Sequence, residues 1–220
     1  MIAERLTAQL LAGGPAGDPV AVAQRLLAIQ GQDPRGARLA IRARSSGLSA
    51  ADVDRALTED RSLLISWLNR GTLHLVSSED YPWLHALTTP PLVRGNARRL
   101  QQEGVTPTQA ERAVKVIERS LATEGPMTRA TLGQRLASAG IPTAGQALIH
   151  LLMLASVRGL TVRGPMIGNE HGYALVRDWL ARARPVNRDQ ALAELARRYL
   201  SGHGPADERD LAKWAGLPLR

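Results

Sequence analysis

The chain contains no cysteine and no phenylalanine, and only two of its 28 basic residues, Lys115 and Lys213, are lysines. Without cysteine there is no disulfide framework, no thiolate nucleophile and no Cys-based zinc site, which fits a reducing cytoplasm. Without phenylalanine, and with four Trp and three Tyr as the whole aromatic complement, the core must be aliphatic. No stretch approaches the roughly 18 apolar residues of a membrane span. The N-terminus, MIAERLTAQLLAGG, is charged and amphipathic and has no basic region followed by a long apolar run. His74, His85, His150, His171 and His203 show neither His-x3-His nor His-Glu-x2-His spacing, so no metal site is expected.

What is present is a 44% hydrophobic chain of 220 residues, enough for one large or two to three small domains. Twenty-eight basic residues against 20 acidic ones give a net charge of +8 and a pI near 11.0. An anionic partner is expected, and the planar forks of arginine suit bidentate contacts to phosphate or guanine.

The sequence also repeats itself. A shift of 79 superimposes Arg119 on Arg198, Leu121 on Leu200, Gly125-Pro126 on Gly204-Pro205 and Leu132 on Leu211. A shift of 111 adds a fainter copy, with Leu10 on Leu121 and Gly14-Pro15 on Gly125-Pro126. Each copy reads as a helix, a Gly-Pro break and a second helix.

The middle copy is the most complete. Gln109 to Thr123 carries Ala110, Val114, Ile117 and Leu121 on one helical face, Thr128 caps a helix through Ala139, and Thr143 opens a third through Val157. Leu160 to Arg163 and Gly172 to Leu175, with a Gly-Pro-containing turn, then form a hairpin. Three helices and a hairpin make a winged helix, whose third helix is expected in the major groove. The first unit reads as helices at Ile2–Ala12, Pro19–Ile29, Arg35–Arg44 and Ala50–Leu57, then strands Leu63–Leu68 and Thr72–Val76 around Asn69-Arg70-Gly71. The expected fold is mainly α with small β-hairpins (α+β): tandem winged helix-turn-helix units, the third incomplete. The boundaries are 1–88 for the first unit, 89–106 for a linker helix, 107–183 for the second and 184–220 for the start of a third, which reads as a shortened form of something longer.

Two local signatures carry the chemistry. One is Leu27-Ala28-Ile29-Gln30-Gly31-Gln32-Asp33-Pro34-Arg35, and the other is Trp67-Leu68-Asn69-Arg70-Gly71-Thr72-Leu73-His74-Leu75-Val76, trailed by Asp80. In this order, within repeated winged helices, they resemble the AlkZ/YcaQ-type family of winged-helix DNA glycosylases over residues 3 to 218. The resemblance implies a Gln-x-Gln catalytic motif at Gln30 and Gln32, an Arg-Gly-Thr-x-His hairpin, alkylated or crosslinked purines as substrates, double-stranded DNA as partner, and no cofactor. Two departures are visible. Gly31 stands where an aliphatic residue is usual, which loosens the local backbone, and the family continues through a complete third winged helix.

Excising a base passes through an oxocarbenium-like sugar. A neutral glutamine carbonyl can orient water and face that cation, but it has no useful pKa for strong general-base work. A substrate that needs no acid assistance, such as a cationic N7-alkylguanine, follows from this. Asp33 is the one nearby carboxylate suited to act as a base, and it equally suits a helix cap. DNA contacts are expected from Arg35, Arg38 and Arg42 on one helix face, from Arg70 at the hairpin tip, from Thr72 and His74 on the strand behind it, and from Gln146, which shares a face with Thr143 and His150. Each has a plainer reading: helix caps for the glutamines, a structural hydrogen bonder for His74, a solvated face for the arginines. The alternatives are a non-enzymatic winged-helix DNA binder and an interaction scaffold. Geometry separates them, because amides projecting from a surface notch beside the wing tip that carries Arg70 favour excision, and amides packed against helix ends favour binding. A monomer in the cytoplasm is expected.

Overall fold

The computed structural model describes residues 1–180 and 186–219. Two compact units are present, one formed by residues 1–88 together with the C-terminal helices, the other by residues 89–180. The chain is α+β, as its sequence patterning implies.

The first unit begins with α1 (Ile2–Ala8), α2 (Pro19–Leu26), β1 (Ile29–Gln30), α3 (Pro34–Arg42) and α4 (Ala50–Thr58). Then come β2 (Leu63–Leu68), β3 (Thr72–Ser77) and α5 (Tyr81–Thr88). Helix starts follow local chemistry. Asp18 accepts from Ala21 N–H at 2.8 Å ahead of α2, and Ser49 and Asp52 form a reciprocal capping box at α4. The three strands form an antiparallel sheet in the order β1-β3-β2, with Ile29 opposite Leu75 and Gln30 opposite His74. The β2–β3 turn needs left-handed backbone at Asn69 (φ 48°) and Gly71 (φ 84°), as the Asn-Arg-Gly sequence implies. Leu63, Leu64, Ile65, Leu68, Leu75, Val22 and Ile41 fill an aliphatic core.

The second unit contains α6 (Pro90–Gln102), α7 (Pro107–Glu124), α8 (Arg129–Ser138), α9 (Ala147–Val157), β4 (Thr161–Ile167), β5 (Glu170–Leu175) and the short α10 (Val176–Trp179). From α7 to β5 it is a winged helix. Thr128 caps α8 as its position after the Gly-Pro break implies, and Met127 and Tyr173 exchange backbone hydrogen bonds that pin this break to the hairpin. The Gly164-Pro165 pair lies inside β4, at a bulge between Arg163 and Met166, and the turn falls instead at Gly168 (φ 61°).

Two expectations about the second unit change. The segment 89–106, read as a linker helix, is built into the unit as α6, which packs along α9. Helix α9, expected in the major groove, is covered: Ala147, Leu151, Leu152, Leu154, Ala155, Ser156 and Val157 are all buried. Of the polar face expected from Thr143, Gln146 and His150, only His150 lies within α9, and it is tied to α6. His150 Nδ1 donates to Asn96 Oδ1 at 2.9 Å while Asn96 Nδ2 donates to the His150 carbonyl at 3.0 Å. Gln146 is the exposed residue preceding the helix, and its backbone N–H donates to Glu103 Oε2 at 2.9 Å.

Helices α11 (Arg188–His203) and α12 (Glu208–Ala215) repeat α7 and α8, and Asp207 caps α12 at the position that Thr128 holds in the other copy. They fold onto the first unit, where α11 lies against α1, α2 and α5. Gly202 permits the approach, since a Cβ there would fall 2.1 Å from the Arg25 carbonyl oxygen. The boundary expected at 183/184 lies outside the described residues.

Candidate active site

Helix α2 ends in a strained turn that sets up the glutamine segment. Leu27, fully buried, adopts φ 64° and ψ −51°, and Ala28 N–H donates back to the Leu26 carbonyl at 2.8 Å. This is the rare γ-turn of positive φ, a conformation whose cost must be met by the surrounding packing and which concentrates at functional sites. It reverses the chain into β1 and places Gln30 opposite His74 at the sheet edge. Gly31 N–H then donates to the Leu73 carbonyl at 2.7 Å. Gly31 therefore does not loosen the segment. It is buried, and a Cβ on it would lie 3.1 Å from Leu75 N, so the missing side chain lets the motif press against β3.

Both glutamines are exposed and neither caps a helix. Gln30 Nε2 donates to Gln32 Oε1 at 2.7 Å, and the pair lines a cavity of about 440 Å³. Asp33 fills the capping role: its Oδ1 accepts from Arg35 N–H at 3.0 Å and starts α3, while the residue also lines the cavity.

The arginines expected to contact DNA divide. Arg35 and Arg42 are exposed, with one Arg42 Nη1–H donated to the Leu48 carbonyl at 2.8 Å. Arg38 instead turns along its helix to bond Asp54 and the Pro34 carbonyl. Arg70 does not project from a wing tip. Its Nη1 donates to the carbonyls of Lys213 at 3.0 Å and Trp214 at 2.7 Å, closing the C-terminus of α12. His74 is only 5% exposed, so it offers no surface to DNA. Its Nδ1 donates to the Thr72 carbonyl at 3.0 Å and its Nε2 faces the hydroxyl of the half-buried Thr72 at 3.4 Å. Burial pushes its pKa down to about 4, so the ring is neutral.

A family model described as DNA glycosylase AlkZ-like matches residues 23–220. The chain belongs to the AlkZ-like DNA glycosylase family. An interstrand DNA cross-link repair glycosylase of Streptomyces sahachiroi is 28% identical over 209 residues, covering 89% of this chain and 54% of that protein. The solved structure of Streptomyces sahachiroi DNA glycosylase AlkZ superimposes with a TM-score of 0.72 at 23% identity, covering 97% of this chain and 63% of that one, and shares its fold. The chain thus spans about half the length of the curated relative that it matches.

In this AlkZ-like chain the rest of the cavity wall comes from residues that the two motifs do not contain. Gln9 follows α1, Arg44 follows α3, and His203 ends α11. Arg44 Nη1 donates to the Ala40 carbonyl at 2.9 Å and its Nη2 to Gln9 Oε1 at 3.2 Å. Its Nε is buried with no hydrogen-bond partner among the described residues, and burial lowers its pKa. The His203 ring stacks on Tyr199, with centroids 4.7 Å apart and planes 11° apart. Burial, with Arg44 adding to it, keeps that histidine below its ordinary pKa and hence neutral. A wall with one half-buried cation (Arg44), three amides (Gln9, Gln30 and Gln32) and one carboxylate (Asp33) can take a polar, anionic-edged ligand. Among the described residues no group of three or more His, Cys, Asp or Glu is placed to hold a metal, and no helix is long and apolar enough to cross a membrane.

The sequence signal for the wall was slight. His203 stands immediately before the repeated Gly-Pro break, and Arg44 lies just past the arginine face of α3, but only the packing of α1, α3 and α11 joins them.

Proposed function

We propose that the protein is a DNA glycosylase that hydrolyses the N-glycosidic bond of an alkylated or crosslinked purine in double-stranded DNA, in DNA repair or self-resistance to a genotoxin. The observation that carries this reading is the Gln30–Gln32 amide pair at the wall of a cavity, unengaged by any helix end. Membership of the AlkZ-like family and the similarity to the Streptomyces interstrand DNA cross-link repair glycosylase support it. The protein acts as a monomer in the cytoplasm, without a cofactor.

In this reading the adducted nucleotide leaves the stack and enters the cavity, at a cost of about a few kcal/mol that a damaged base reduces. As the C1′–N bond breaks, positive charge moves from the alkylated purine to the sugar, and the base departs neutral. The carbonyl oxygens of Gln30 and Gln32 face that cation and orient the water that adds to C1′, the proton that this water loses passes to bulk solvent, and Asp33 adds a negative charge nearby. Arg44 disfavours a cationic base placed against it, so it takes a phosphate oxygen of the same nucleotide and sets which way the nucleotide enters. Arg35, Arg42 and, in the second unit, Gln146 contact the backbone.

The test is incubation of the protein with duplex containing a single N7-alkylguanine, scored for abasic sites. Release of the modified base by the wild type and its loss in Gln32→Ala is the expected result. Retained duplex binding with no abasic sites at saturating protein makes this a DNA-binding module.

A further inference from the structure

Leu39 is 58% exposed in the middle of α3, the helix that Asp33 starts immediately after the glutamine pair. A single exposed leucine is ordinary on a protein surface. Its surroundings on the helix are not. At 3.6 residues per turn, the residues around α3 run in the order Arg42, Arg35, Leu39, Gly36, Ala40. Arg42 and Arg35 are the exposed cations on one side of Leu39, and Gly36 and Ala40, on its other side, line the cavity. Ala37 and Ile41 occupy the buried face, so the core leaves Leu39 outside. The leucine therefore stands on the strip between two phosphate-seeking side chains and the cavity edge.

A branched apolar side chain in that place has no hydrogen bond to give a base or a phosphate. It does have the shape and hydrophobicity of the side chains that enter a base step and part the stack. We infer that Leu39 is the wedge that occupies the stack as the nucleotide turns into the cavity, with Arg35 and Arg42 holding the flanking phosphates. This rests on the glycosylase reading and adds to it the step by which a paired base reaches the site. Leu39 is a positioning residue, since it touches neither the sugar nor the water.

The experiment compares the full chain with Leu39→Ala and Leu39→Met on N7-alkylguanine in two settings, paired with cytosine in a duplex and in a single strand. Leu39→Ala should lose about tenfold or more in single-turnover excision from the duplex and less than about twofold from the single strand, because only the paired base must be unstacked. Leu39→Met should keep most of the duplex rate. Equal losses on both substrates, or none on the duplex, overturn the wedge, whereas a wild type inactive on both overturns the glycosylase reading. A second readout needs no excision: 2-aminopurine in an unmodified duplex should brighten on binding wild type and stay quenched with Leu39→Ala. Equal brightening with both proteins, or none with wild type, also overturns the wedge.

Discussion

Gln30 donates an amide N–H to the carbonyl oxygen of Gln32 at 2.7 Å, so the two side chains act as one hydrogen-bonded group. The bond occupies one lone pair of Gln32 and leaves both lone pairs of Gln30 Oε1 for a water or a developing cation. Residues that act as a unit lose most of their effect when either is removed. Gln30→Ala and Gln32→Ala are each expected to lower single-turnover excision by about 10²-fold, with the double variant little worse than either single one, because preorganised polar groups of this kind act together. Duplex affinity should change by less than about twofold, since neither amide is assigned to the phosphate backbone. Additive losses in excision would mean two independent roles.

Asp33 carries two assignments that a pair of substitutions separates. Its Oδ1 caps α3 through Arg35 N–H, and its carboxylate also lines the cavity. Asp33→Ala should cost about 1 kcal/mol of stability through the lost cap, whereas Asp33→Asn preserves the cap to within a few tenths. Excision by Asp33→Asn should fall about tenfold, as expected from removing one negative charge near the sugar cation. If excision is unchanged while Asp33→Ala unfolds more readily, Asp33 is a helix cap and nothing else.

Elements whose cause is local were legible in the sequence. Asp33-Pro34 started a helix where that pairing implies, Asn69-Arg70-Gly71 closed a hairpin, and Thr128 capped the helix after the Gly-Pro break. The glutamine pair was legible as a motif, yet its mutual hydrogen bond was not. Partners distant in sequence were hidden. Arg70 closes the end of α12 where Gly216 (φ 70°) turns the chain without a side chain, since a Cβ there would lie 3.2 Å from Arg70 Cγ, and no local pattern around Arg70 announces that. Helix α9 reads as a recognition helix until α6 is known to cover it. Gln9, Arg44 and His203 come from three separate elements, and only tertiary packing makes them one wall.

His74 makes stability depend on pH. Its folded pKa of about 4 lies below the ordinary 6.5 because the ring is buried. Between these values the unfolded chain takes up a proton that the folded chain refuses, so stability is whole above pH 6.5 and declines as pH falls toward 4. The decline amounts to about 3 kcal/mol for a shift of this size. Urea unfolding at pH 7.5, 5.5 and 4.5 should show it, and His74→Asn, which does not titrate, should flatten the slope by that amount. Parallel pH profiles for the two proteins would assign the acid sensitivity to other groups.

Asp80, noted in the sequence only as trailing the hairpin signature, is buried and takes both arms of Arg198 from α11, which also donates to the Gln24 carbonyl at the end of α2. Taking two charges from water is expensive, and removing one of them strands the other. Asp80→Ala should therefore destabilise the protein by about 3–5 kcal/mol in denaturant unfolding. Replacing both, as Asp80→Leu with Arg198→Met, should cost much less, because no unpaired buried charge remains. Since α11 carries His203 to the cavity, Asp80→Ala should also weaken excision at temperatures where the chain is still folded, and the double variant should recover part of it. A double variant as unstable as Asp80→Ala would place the energy in the packing of α11 and not in the ion pair.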